Sequence, residues 1–198
     1  MPMSTKHLDL GCGPSPRNPY RCEETHGIDL ALPADVKLPF FVAANLSVEP
    51  IPHEDSTFDS VSAYDFLEHV PRVLPGPDGS GTRFSFVELM SEIHRVLKPS
   101  WRFYAVTPAF PRAEAFVDPT HVKVITERTH LYLAGETPGA HQYGFRGRFR
   151  VLRAHWTRKR LSQDYEPVTP DLVHRLRRLL DVLKRRRHHM LWELEAVK

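Results

Sequence analysis

A short run, Lys6-His7-Leu8-Asp9-Leu10, passes straight into Gly11-Cys12-Gly13-Pro14, and this junction constrains the fold more than any other feature of the chain. Two glycines one residue apart let the backbone turn tightly and come close to a ligand at the carboxyl end of a strand. Eighteen residues after Gly11, Asp29 sits in a second apolar run, Gly27-Ile28-Asp29-Leu30-Ala31. An acid there is placed to bind both hydroxyls of a ribose. The third position of a G-x-G-x-x-G fingerprint is Pro16, with Pro14 and Pro19 close by, so a pyrophosphate-binding helix cannot readily start here. The acidic Asp9 beside the loop favours a cationic nucleoside instead. The sequence contains neither a Walker lysine nor a kinase signature, which argues against ATP chemistry.

Further along, apolar runs bounded by turn residues alternate with helical patterns, the mark of an α/β domain built on a mostly parallel, doubly wound sheet. Strands are predicted at 6–10, 27–31, 41–46, 58–64 and 102–106, with a helix over 84–97 stopped by Lys98-Pro99. Residues 109–147 show little periodicity beyond a short helix near 126–133, and an irregular stretch of this length reads as a lid or binding segment. A sixth strand is expected over 148–156. Thr169-Pro170 opens a basic amphipathic helix over 169–187, and a strand over 190–197 closes the chain.

Composition fits a single globular domain spanning 1–198: 41% of residues are apolar and 26% charged, and the two cysteines are too few for a disulfide framework. With no run of apolar residues long enough for a membrane span and no room for a signal peptide, a cytoplasmic protein without membrane partners is expected. Charge is uneven. Residues 1–147 hold 13 basic and 18 acidic side chains, whereas 148–190 hold 13 basic and 4 acidic. The basic quarter is expected to be a solvated helix face whose cations complement the helix dipole. Binding of nucleic acid is the less favoured alternative, because few aromatics interleave the basic residues.

Together these motifs resemble the class I S-adenosylmethionine-dependent methyltransferases. LDLGCGPSPR is similar to the family's first motif and GIDL to its ribose-binding strand. AANLSVEPIPHEDSTFDSVSAYDFLEHVP resembles the adenine-binding and post-loop region, and ELMSEIHRVLKPSWRFYAVTP the helix and strand written E-x-x-R-V-L-K-P-G-G. AFVDPTHVKVIT followed by YGFRGRF is similar to a bacterial subgroup, some of whose members occur with polysaccharide-synthesis functions. The resemblance implies a Rossmann-like domain with an antiparallel last strand and S-adenosylmethionine as cofactor. It implies cofactor contacts at Asp9, Gly11, Cys12, Gly13, Asp29, Leu30, Asn45, Leu46 and Tyr64, Cys12 acting through its backbone. Three departures stand out: Ser100-Trp101 where the family often has Gly-Gly, Asn45 in place of an aspartate, and little room between Gly13 and Gly27 for a full helix.

Methyl transfer from a sulfonium asks mainly for alignment in a dry pocket, helped by a base when the acceptor has a proton to lose. Candidates are Asp118 and His121, in Asp-Pro-Thr-His, and Glu68 with His69 after the fourth strand. The alternatives are that His121 pins a loop and that Glu68 and His69 make helix-start contacts. No metal is expected, the 12 histidines being scattered, and a cation held by His69, His121 and a carboxylate is the disfavoured alternative. His188-His189 is expected to titrate in solvent. The acceptor is expected to be a small molecule or sugar with an oxygen or nitrogen nucleophile, with a second copy of the chain as a further partner that completes the pocket. A nucleic-acid methyltransferase and a non-catalytic cofactor-binding protein are the alternatives.

Overall fold

The computed structural model describes residues 4–159, 165–166, 172, 175–176, 179–180 and 187–198. In chain order they form β1 (Lys6–Leu10), β2 (Glu24–Asp29), β3 (Phe41–Ala43), β4 (Phe58–Tyr64), a small hairpin of β5 (Leu74–Pro75) and β6 (Thr82–Arg83), α1 (Ser85–Val96), β7 (Leu97–Pro108), β8 (Phe149–Thr157) and β9 (His189–Ala196). Seven strands make one sheet in the order β3-β2-β1-β4-β7-β9-β8. All neighbours are parallel except at β9, which runs against both β7 and β8. The strand order reverses between β1 and β4, the place where open α/β sheets leave a crevice beyond their carboxyl ends.

Every residue of β4 is buried, although its sequence FDSVSAY carries three polar side chains. Each has a partner. Asp59 accepts from Lys98 Nζ at 2.8 Å and from the Lys6 amide at 2.8 Å, while Ser60 and Ser62 bond the His7 ring. Helix α1 covers the sheet with Phe86, Leu89, Met90, Ile93 and Val96, the i, i+3, i+4, i+7 spacing that buries one stripe. Its Arg95 bonds the carbonyls of Ile51 and His53 as well as Glu92 and Asp55, tying the β3–β4 connection to the helix.

Several predicted bounds shift. Strand β2 starts at Glu24 and stops at Asp29, because ladder pairing with Lys6–Leu10 carries it through polar residues. Strand β3 ends at Ala43, and Leu46 is buried in the turn beyond it. Lys98-Pro99 ends the helix but not the chain's regularity: β7 begins at Leu97, and its register against β4 slips between Leu97 and Arg102. Ser100 stands in that slip at φ 65°, a left-handed conformation that costs a residue with a Cβ about 1–2 kcal/mol. Ser100→Gly is therefore expected to raise stability by about 1 kcal/mol, net of the freedom glycine adds to the unfolded chain, and Tm by about 2–4 °C in a calorimetric scan.

The connections β1–β2, β2–β3 and β3–β4 carry no α-helix. The segment 109–147 forms three 3₁₀ turns, Ala113–Ala115, Thr129–Leu133 and Gly139–Tyr143, the second standing where a short helix was predicted. It is no loose flap: Ile125, Leu133, Ala140 and Phe145 are buried in the main core. The predicted helix over 169–187 lies largely outside the described residues, and its described leucines Leu172, Leu176, Leu179 and Leu180 are all exposed. Part of the basic excess is neutralised by the last strand, where Arg150 meets Glu195 and Arg153 meets Glu193. No helix of the described residues is long and apolar enough to cross a membrane.

Candidate active site

Strand β1 delivers Gly11 to the carboxyl edge of the sheet at φ 65°, with its amide donating to the Ile28 carbonyl at 2.8 Å. A Cβ at Gly11 would come within 2.6 Å of the Phe66 ring, so only glycine fits. Gly13 follows at φ 55° and donates its amide to Asp29 Oδ2 at 2.8 Å, while Asp29 Oδ1 accepts from the Leu30 amide at 2.7 Å. The loop and the acid thus form one unit. Leu30 is 67% exposed and presents an apolar side chain beside that acid. The Cys12 thiol fills the space over Gly27, and burial pushes its pKa up to about 12, which leaves its backbone as the part that faces the loop.

Asp9 is buried beneath the loop. Its Oδ2 accepts from the Arg17 amide at 2.8 Å and its Oδ1 from the Ser62 hydroxyl at 2.6 Å. Burial raises its pKa to about 6 against the effect of both bonds. Since the Ser62 hydroxyl proton goes to Asp9, Ser62 Oγ accepts from His7 Nε2 at 2.8 Å, and His7 Nδ1 accepts from Ser60 at 2.7 Å. His7 is fully buried and held neutral, its pKa lowered to about 3 by burial. The chain of Ser60, His7, Ser62 and Asp9 is a fixed foundation for the glycine loop.

Asn45 and Leu46 sit differently from a direct cofactor contact through their side chains. Asn45 Oδ1 caps the next turn by accepting from the Ser47 amide at 3.1 Å, and the Leu46 side chain is in the core. Tyr64 is also packed inside, against Tyr104, Val106 and Leu191, with the Arg17 guanidinium 4.5 Å over its ring. Phe103 and Tyr104 are likewise core residues.

The four candidates for the chemistry converge. Glu68 and His69 lie on the 3₁₀ turn Leu67–His69 after β4, and the Lys123 amide donates to the Glu68 carbonyl at 3.0 Å, which clamps the segment 118–123 against that turn. His121 Nε2 stands 3.9 Å from Glu68 Oε1 and 4.0 Å from Asp118 Oδ2, and the His69 and His121 rings meet edge to face at 4.8 Å. Glu68 is 1% exposed; its Oε2 accepts from Thr107 Oγ1 at 2.9 Å, but its Oε1 has no hydrogen-bond partner among the described residues. Burial raises its pKa to about 8. The Thr120 hydroxyl and amide, by contrast, hold the exposed Asp118 carboxyl below its ordinary range.

His189, expected in solvent, is instead buried with its Nε2 3.1 Å from Asp65 Oδ1, and His188 lies 3.5 Å from Glu114. The reason is pairing with β7: His189 stands opposite Pro108 in the ladder, inside the sheet. Residues the motifs did not single out include His7, Ser62, Arg17 and Thr120. The signal for the first two was present, since His7 and Asp9 share one face of β1 and pair in register with Ser60 and Ser62 of β4.

Residues 8–105 match the family model described as a methyltransferase domain. No curated protein matches the chain in sequence. Among solved structures, it is similar to a SAM-dependent methyltransferase from Archaeoglobus fulgidus, at 17% identity over 97% of this chain and 86% of that one, with a TM-score of 0.57. A SAM-dependent methyltransferase from Methanosarcina mazei aligns at 16% identity over 100% of this chain and 94% of that one, TM-score 0.53. The [4+2]-cyclase SpnF aligns at 14% identity over 98% and 75%, TM-score 0.53. At such identities the solved structures share the fold, and one fold hosts several chemistries.

Proposed function

We propose that this chain, whose residues 8–105 match a methyltransferase domain, is an S-adenosylmethionine-dependent methyltransferase that methylates an oxygen or nitrogen of a small-molecule or sugar acceptor held beside Glu68, His69 and His121. The cofactor, when bound, supplies the methyl group on a sulfonium, leaving the protein to align the acceptor and take up its proton. The residues fit that cofactor. Two positions on the Asp29 carboxylate are taken by backbone amides, and a carboxylate has about four, so ribose hydroxyls find acceptors there. The exposed Leu30 offers an apolar surface for a base, and the two left-handed glycines bring main chain close to the ligand.

The observation that carries the acceptor reading is a cavity of about 570 Å³ walled by Phe86 and Tyr132 and lined by Arg72, Lys123 and Arg128. Arg72 is three residues from His69 and Lys123 two from His121. None of the three cations is paired with a carboxylate among the described residues. Lys123 lies 3.7 Å over the Phe86 ring, and burial lowers its pKa to about 8. A small acceptor with a carboxylate or phosphate suits such a cavity, and the similarity of the Asp-Pro-Thr-His pattern to the polysaccharide-associated subgroup supports an acidic sugar. The pairing of Arg150 and Arg153 with glutamates weighs against a nucleic-acid acceptor.

Calorimetric titration with S-adenosylmethionine and S-adenosylhomocysteine, with NAD as control, tests the cofactor half. Binding in the micromolar range is expected, weakened at least tenfold in Asp29→Ala, about 1.4 kcal/mol. S-adenosylhomocysteine formation on a panel of acidic and neutral sugars, with RNA as comparison, tests the acceptor half. Turnover on RNA alone would overturn the small-acceptor reading.

A further inference from the structure

We propose that Glu68, His69 and His121 bind a divalent first-row transition cation such as zinc. One donor atom from each of the three lies within 4.8 Å of the other two, and this holds before any ion draws them together. Donors of a tetrahedral zinc site, each about 2.0–2.1 Å from the metal, stand about 3.3 Å apart. The 3.9 Å between Glu68 Oε1 and His121 Nε2 is a small adjustment from that.

The hydrogen bonds around the cluster decide which ring atoms are bare. Thr120 Oγ1 gives its one proton to Asp118 Oδ1 at 2.6 Å, so toward His69 Nδ1, 2.9 Å away, it accepts. His69 therefore carries its proton on Nδ1, which leaves Nε2 unprotonated. At His121, Nδ1 stands 3.2 Å from the Ala115 carbonyl, which can only accept, so this ring too is held with Nε2 bare. Metal-binding histidines are set in this way, the second ring nitrogen donating to a carbonyl or a carboxylate-linked group. The third donor is the Glu68 oxygen that has no hydrogen-bond partner among the described residues although the residue is almost wholly buried. A buried polar atom without a partner is costly, and a cation between it and two neutral imidazoles removes the cost.

Asp65, three residues before Glu68, is engaged elsewhere: His189 and Lys159 hold its two carboxylate oxygens. The protein thus supplies three donors, leaving a coordination position for an acceptor oxygen, whose proton a bound cation makes easier to remove. Two imidazoles and one carboxylate suit zinc, cobalt, iron or manganese better than calcium or magnesium, which prefer oxygen ligands. The metal-binding claim is independent of the methyl-transfer reading; the role given to the open position rests on it.

The test is titration of metal-free protein with Co²⁺, followed by visible absorption, then displacement by Zn²⁺. One saturable site with a d–d spectrum is expected. Affinity should fall at least tenfold in His121→Ala and in Glu68→Gln, and stay unchanged in His26→Ala, which removes a histidine outside the cluster. Should either cluster variant fail to fold, anomalous diffraction at the zinc edge on wild-type crystals replaces it, with a peak expected between Glu68 and His121. Absence of a saturable site, or equal binding by wild type and folded cluster variants, overturns the proposal. Metal binding without methyl transfer would leave this site standing and remove the methyl-transfer reading; metal-free turnover at the full rate would do the reverse for the role of the open position.

Discussion

Glu193→Ala is expected to cost about 3–5 kcal/mol of folding stability, the scale seen when one partner of a buried ion pair is removed. Glu193 is 1% exposed at the middle of β9, where its Oε2 takes a bond from Arg153 Nε and its Oε1 bonds from Tyr20 at 2.7 Å and Arg102 at 3.3 Å. Tyr165 adds a fourth donor at 3.2 Å. The guanidinium nitrogens Nη1 and Nη2 of Arg153 have no hydrogen-bond partner among the described residues, so alanine leaves a mostly buried cation with no carboxylate bonded to it and only the Tyr165 ring, 4.9 Å away, against it. A domain holding only about 5–15 kcal/mol in reserve becomes marginal after such a loss. Urea unfolding should show the midpoint falling at constant slope, and Glu193→Gln, which keeps acceptors for the tyrosines, should fall less. A shift equivalent to under about 1 kcal/mol would mean that the arginines find other partners.

The second large effect is expected at the glycine loop. Gly11→Ala meets two separate penalties: a left-handed φ of 65°, about 1–2 kcal/mol, and a Cβ placed 2.6 Å from the Phe66 ring, about 1–3 kcal/mol of overpacking. Relief at either point moves the Ile28–Gly11 hydrogen bond that seats the loop. Affinity for S-adenosylmethionine should therefore drop at least tenfold along with Tm. Combining Gly11→Ala with Phe66→Ala separates the penalties, since removing the ring cures the clash and leaves the dihedral cost. If the double variant is no more stable than the sum of the two singles predicts, the ring is not what forbids a side chain there.

Where a local signal and the tertiary structure agreed, the fold was legible. KHLDL and FDSVSAY became strands with the bounds read from them, and the helix over 84–97 differs from α1 by one residue at each end. Its apolar stripe and its Lys98-Pro99 stop are both local, which is why they sufficed. Strand β2 was read short because Glu24-Thr25-His26 has no apolar character of its own; His26 is instead sandwiched by Phe40 and Phe58, a contact no window of sequence contains. His189 went astray for the same reason, its partner Asp65 being 124 residues away. At the site, Glu68-His69 and Asp118-His121 were each visible as a pair, while their meeting depends on the Lys123–Glu68 backbone bond. The unprotonated Nε2 atoms depend on Thr120 and Ala115, whose residue types carry no such message.

Strand β4 has a further consequence as a spacer. Its Ser60 and Ser62 fix the His7 and Asp9 side chains under the glycine loop, and Glu68 stands four residues past its end, on the 3₁₀ turn Leu67–His69. In the proposed reaction the cofactor loop and the acceptor's candidate residues both hang from one ruler, a buried strand and the short turn after it. The tolerance of an in-line displacement, where a shift of about 1 Å can cost a hundredfold in rate, would then depend on how firmly that strand and turn keep their spacing. Changes in the wall over 109–147 can then alter which molecule is admitted while leaving the length of that ruler as it is.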